Sequence, residues 1–357
     1  MAADEHPSLT RFFLGFAAFV VIVAGMKAAE SLLVPFLLSI FIAVICGPPL
    51  AWMTKRGVPL ILAMLVVVAF IVVFGVAVGA IVSTSINDFS QDLPVYQEKL
   101  STITATFLAW LGGMGFDLPI NQIQENIKPG TVMGMVGKAL ASLGNVMTNA
   151  FLILLTVIFI LSESAMFHSK LERAAGEGSK SLQAIERFTS SINQYMAIKT
   201  GLSLLTGVLI MCWLWIIGVD YPVLWGLVAF LLNFVPNLGS IIAAVPAVLL
   251  ALIQLGTGDA LLTAVGYVFA NVLVGNVLEP RMMGKGLDLS TLVVFLSLVF
   301  WGWVLGPVGM LLSVPLTMTV KIALESTGKP SIVSVLLGAG VPENQLSAQP
   351  LEWKKGE

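Results

Sequence analysis

Apolar runs recur along this chain at lengths set by a lipid bilayer. About 20 apolar residues cross the hydrocarbon core as a helix. Runs of that order or longer lie at residues 12–27, 31–53, 59–86, 145–163, 200–219, 222–255, 259–279 and 287–323. A soluble domain gives about 25% of its residues to Asp, Glu, Lys and Arg. Here 11% are charged and 57% hydrophobic, with a mean hydropathy of +0.97. Too few charges remain to cover a surface facing water, so the sequence predicts an all-α polytopic protein with the lipid bilayer as its first partner. The net charge of −2 offers no basic field for nucleic acid. The first run could pass for a signal peptide, but Asp4 and Glu5 flank Arg11 ahead of it and further spans follow, so it reads as an uncleaved first span.

Charge placement orients the spans, because Lys and Arg concentrate on the cytoplasmic side. Lys55 and Arg56 lie between the second and third runs. Lys170, Arg173, Lys180, Arg187 and Lys199 lie in the polar interval 164–199, whereas the longer interval 87–144 holds only Lys99, Lys128 and Lys138. The expected organisation follows: spans within 1–86 with the N-terminus inside, an external helical segment at 87–144 with turn signals such as DFSQDLP, and a span at 145–163. A cytoplasmic amphipathic segment at 164–199 comes next, carrying Ile185, Phe188, Ile192 and Tyr195 as a one-sided stripe. A transmembrane region with interrupted helices covers 200–323, and a cytoplasmic tail covers 324–357.

Two of the runs, 222–255 and 287–323, are too long for one ordinary span, and both are broken by Pro and Gly. If each is a re-entrant hairpin, one turning near 236–239 and the other near 301–309 from the opposite face, Arg281, Lys285 and the tail lysines become cytoplasmic. That arrangement has about six full spans plus two hairpins. Eight ordinary spans are the alternative, and they misplace Arg281 and Lys285.

A pair of Pro/Gly-interrupted apolar segments points to a transport site. A broken helix frees backbone N–H and C=O groups, which are tolerable at membrane depth only against protein or a polar cavity. In LLNFVPNLGSII the candidate substrate-binding residues are Asn233, Pro236, Asn237, Gly239 and Ser240. In NVLVGNVLEPR, Asn271, Gly275 and Glu279 are spaced by four and would share one α-helical face, with Asn271 and Asn276 as further ligands for solute. A carboxylate near a span needs a partner, hydration or a proton. Glu279, with Arg281 or Lys285 as nearest partner and with Asp288, is therefore the gating or coupling candidate. The bland alternatives are a solvent-facing loop and an interfacial salt bridge. The GxxxG pairs Gly75/Gly79 and Gly302/Gly306 favour close helix packing.

Other chemistries lack their residues. The only histidines are His6 and His168, and Cys46 and Cys212 have no metal-ligand spacing. No GxxxxGK[ST] is present. The expectation is a protein that is not an enzyme, without metal or cofactor, and with transport either passive or coupled to an ion gradient.

The segments PNLGSIIAAVPAVLLAL, LEPRMMGKGLDLSTLVVFLSL and AAESLLVPFLLSIFIAVI resemble the autoinducer-2 exporter family over nearly the whole chain. That resemblance implies a bacterial inner-membrane transporter exporting the quorum-sensing signal autoinducer-2. It also implies self-association as a homo-oligomer, a pentamer, and an elevator-like movement of part of each protomer. Some relatives are described as sodium/proton antiporters, so that function stands as the alternative. A small, hydroxyl-rich solute would suit Asn and Ser side chains, whereas a cation antiporter would need buried carboxylates.

Overall fold

The computed structural model describes residues 9–114, 149–175, 180–236, 238–283, 289–325 and 338. Among these, every regular element is helical. The helices are α1 (Leu9–Ala28), α2 (Glu30–Lys55), α3 (Leu60–Gly113), α4 (Ala150–Ala175), α5 (Lys180–Ile217), α6 (Pro222–Leu232), α7 (Gly239–Gln254), α8 (Thr257–Asn271), α9 (Glu279–Met283) and α10 (Thr291–Glu325). A π-helical segment, Val272–Leu278, joins α8 to α9. Among the described residues, five helices are long and apolar enough to cross a membrane. Their outward faces are apolar: Ile61, Phe70 and Val76 of α3 and Val268 and Phe269 of α8 are each more than 60% exposed. Apolar surface on that scale is stable only against lipid or another protein.

The chain divides into two compact units. The first comprises residues 1–34, 168–195 and 283–357, and its described helices include α1 and α10. Phe19 of α1 stacks on Phe300 of α10 at 6.2 Å. Helix α10 is not one rod. Gly306 takes φ 64°, ψ −152°, a conformation open to glycine, and Pro307 follows it. Trp301 Nε1 donates to Thr317 Oγ1 at 3.0 Å. Sixteen residues of straight helix would separate those groups by about 24 Å, so the chain folds back on itself at Gly306. The Pro/Gly break read at 301–309 is therefore a helical hairpin.

The second unit comprises residues 35–167 and 196–282. One core cluster joins α2, α3 and α4 through Ala43, Cys46, Ala63, Val67, Val157 and Leu161. A larger one joins α3 to α5, α6, α7 and α8 through Val82, Phe89, Leu214, Trp225, Ala247 and Tyr267. The turn expected at DFSQDLP is absent: α3 continues through Pro94 to Gly113. Packing past the apolar run keeps it helical, since Phe89 and Tyr96 are buried in the larger cluster.

Two reciprocal hydrogen bonds hold this extension of α3 to the α5–α6 junction. Tyr96 donates to Asp220 Oδ2 at 2.7 Å, and Tyr221 donates to Asp92 Oδ2 at 2.6 Å. Gln254 braces the same junction, accepting from the Asp220 N–H and donating to the Gly218 carbonyl. Tyr221 itself has φ 59°, ψ 45°. The proline after it disfavours right-handed helical geometry there.

Helices α6 and α7 have 11 and 16 residues, each too short to cross a bilayer. They pack on one another, so the 222–255 run contains a second helical hairpin.

Candidate functional site

The α6–α7 turn is built by steric and hydrogen-bonding necessity. A Cβ at Gly239 would overlap the Leu232 carbonyl, so only glycine lets α7 start against the end of α6. Pro236 supplies a carbonyl that accepts from Leu238 N–H at 2.6 Å. Phe234, buried, meets Phe41 of α2 edge-on at 5.3 Å and anchors the turn. The hairpin approaches α5 closely because Gly207 and Gly226 face each other; a Cβ on either would lie 2.8 Å from the other's carbonyl oxygen.

Side chains then tie the turn to its neighbours. Asn233 Nδ2 donates to Ser203 Oγ of α5 at 3.0 Å. Ser240 Oγ donates to Asn271 Oδ1 at the end of α8 at 2.9 Å. Three of the predicted residues are thus engaged at the interruption. Pro236 and Gly239 shape it, and Asn237 lies outside the described residues.

Beyond Asn271 the helix widens. A π-helix closes i→i+5 bonds and takes up more residues per turn than an α-helix. The single α-helical face expected for Asn271, Gly275 and Glu279 is therefore displaced across Val272–Leu278. Spacing alone carries no mark of this widening. Asn276 is exposed.

Glu279 is paired with a residue outside the expected pair, Arg281 or Lys285, of which only Arg281 is among the described residues. Lys199 Nζ of α5 donates to both carboxylate oxygens, at 2.8 and 2.9 Å. The Lys199 side chain is 4% exposed and that of Glu279 22%. Arg281 is exposed, and Lys285 and Asp288 lie outside the described residues. By position in the sequence Lys199 reads as one of the topology-setting charges of the 164–199 interval. The missed signal was a polar stripe at helical spacing inside an apolar helix: Lys199, Ser203 and Thr206 are all buried on α5.

A polar seam therefore runs through the second unit. It has a compensated charge pair at the Glu279 end and neutral amide and hydroxyl contacts at the α6–α7 turn. Such a seam can exchange hydrogen bonds with a small neutral solute, and it leaves no net charge to attract an ion.

The sequence is similar to those of known membrane transport proteins. A profile described as AI-2E family transporter matches residues 16–329. The AI-2 transport protein TqsA of Escherichia coli K12 is 41% identical over 318 residues, covering 89% of this chain and 92% of that protein. A Haemophilus influenzae protein named "Putative transport protein" is 44% identical over 342 residues, covering 94% and 98%. The similarly named YhhT of Escherichia coli K12 is 35% identical over 333 residues, covering 93% and 95%.

Proposed function

The chain belongs to the AI-2E transporter family, and from that membership we propose that it exports autoinducer-2 across the bacterial inner membrane through the polar seam of its second unit. The family is one of transporters, so the chain is a multi-pass membrane transporter and not an enzyme.

The observation that carries the substrate assignment is the neutral hydrogen bonding at a helix break, Asn233 to Ser203 and Ser240 to Asn271. Autoinducer-2 is small and rich in hydroxyls. It can replace each of these contacts with one of its own, so opening the seam need not leave a buried group unpaired. Glu279 is neutralised by Lys199 and is not a free carboxylate awaiting a cation. That favours the neutral solute over sodium/proton antiport. A buried charge pair at the end of such a seam suits a gate that separates and re-forms as the solute passes.

In this proposal the hairpins at 233–238 and 306 are re-entrant from opposite faces, with both termini and the 164–199 segment cytoplasmic and the 87–144 segment external. Movement is elevator-like within each protomer of a pentamer, and transport is passive or gradient-coupled. The assay is uptake and release of labelled autoinducer-2 by liposomes containing the purified full-length protein, with and without a proton or sodium gradient. Saturable flux that needs no sodium supports the reading. Sodium-dependent acidification with no signal flux supports the antiporter instead.

A further inference from the structure

Hydroxyl groups on the described membrane helices mostly return their proton to their own backbone. Ser39, Thr84, Thr156, Ser162, Thr206 and Thr319 each donate to the carbonyl four residues earlier. Thr263 and Tyr267 of α8 depart from that pattern. Thr263 is 0% exposed and Tyr267 4% exposed, and among the described residues neither hydroxyl has a hydrogen-bond partner. They are one helical turn apart, so they share a face. Asn271, a further turn along, accepts from Ser240. Tyr267 lies in the apolar cluster with Trp225, whose indole N–H is likewise buried and unpartnered, and with Ala243 and Ala247. The cluster is otherwise mostly aliphatic, and among the described residues no hydrogen bond is made to the Tyr267 phenol.

A buried polar group without a partner costs free energy that Phe or Val would avoid. Each such group in a native protein calls for a reason, and a functional role is one of them. Resting on the transport reading above, we infer that Thr263 and Tyr267 are solute-binding residues. They extend the neutral seam from the Ser240–Asn271 contact along α8 and select a small uncharged solute bearing adjacent hydroxyls. The chemistry follows from the groups present. Two hydroxyls donate and accept, and one indole only donates. A purely apolar solute would leave three polar groups as orphaned as before, whereas a solute bearing hydroxyls can meet each of them.

The test uses the full-length protein in liposomes, with Thr263→Val, Tyr267→Phe, the double variant and Thr263→Ser. Two quantities are read: the autoinducer-2 concentration giving half-maximal flux, and the melting temperature of each variant in detergent. The inference predicts that each hydroxyl removal raises the half-maximal concentration about tenfold, in line with one lost hydrogen bond. It also predicts that melting stays equal or rises, and that Thr263→Ser behaves as wild type. Unchanged half-maximal concentrations with a raised melting temperature would make these hydroxyls structural orphans and overturn it. If wild-type vesicles move no autoinducer-2, the transport reading fails on its own. Binding is then read as protection of the melting temperature by millimolar erythritol or ribose. Protection of wild type that disappears in the double variant sustains the inference, and no protection of wild type removes it.

Discussion

Lys199, buried, pairs with Glu279 in the second unit. Removing one member of a buried pair leaves its partner uncompensated, whereas replacing both by apolar groups can be nearly neutral. Glu279→Gln should therefore lower stability by about 3 kcal/mol. Lys199→Met with Glu279→Met should recover most of that loss, as read by a double-mutant cycle of melting in detergent. Additive losses in the double variant would show that the pair is not coupled. Tyr221 supplies a pH dependence. Burial first, and then its hydrogen bond to Asp92, hold the phenol above its ordinary value of 10.0. The folded state keeps this proton after the unfolded chain has lost it. The stabilisation is thus complete below about pH 10 and declines as pH rises further. Melting measured from pH 8 to 11 should fall at the alkaline end, and Tyr221→Phe should flatten that fall.

Helix breaks were legible and helix widening was not. LLNFVPNLGSII and WGWVLGPVG announced their interruptions through Pro and Gly in apolar runs, and the hairpins at Gly239 and Gly306 lie within those stretches. Conversely, Pro94 and the polar DFSQDLP suggested an end that tertiary packing overrode, because Phe89 and Tyr96 had a core to enter. The π segment had no sequence signature, since Asn271 and Glu279 sit at α-helical spacing. The partner of Glu279 was missed because charge was counted along the sequence rather than by helix face; the Lys199, Ser203, Thr206 stripe was there to be read. At this scale the turn is testable. Gly239→Ala must displace the Leu232 carbonyl, and overpacking of that kind costs about 1–3 kcal/mol. The variant should melt lower and transport more slowly, while Gly201→Ala, with open space around it, should change neither.

For the molecule as a whole, composition fixed the solvent before any element was placed. A chain with 11% charged residues and apolar outward faces belongs in lipid. Family membership then supplies the activity class that neither composition nor helix count contains. The proposed topology makes the α7–α8 junction external, so Thr257→Cys should react with an impermeant maleimide added outside intact cells. Reaction only after permeabilisation would restore eight ordinary spans. The proposed pentamer should give a native mass of five 38.0 kDa chains in mild detergent. The central claim is that the neutral seam carries autoinducer-2, and proteoliposome flux of the labelled signal measures it directly. Wild type should show saturable flux, and Asn233→Leu with Asn271→Leu should reduce it more than tenfold at equal reconstitution. Equal flux in the double variant, or none above empty liposomes in wild type, would contradict the claim.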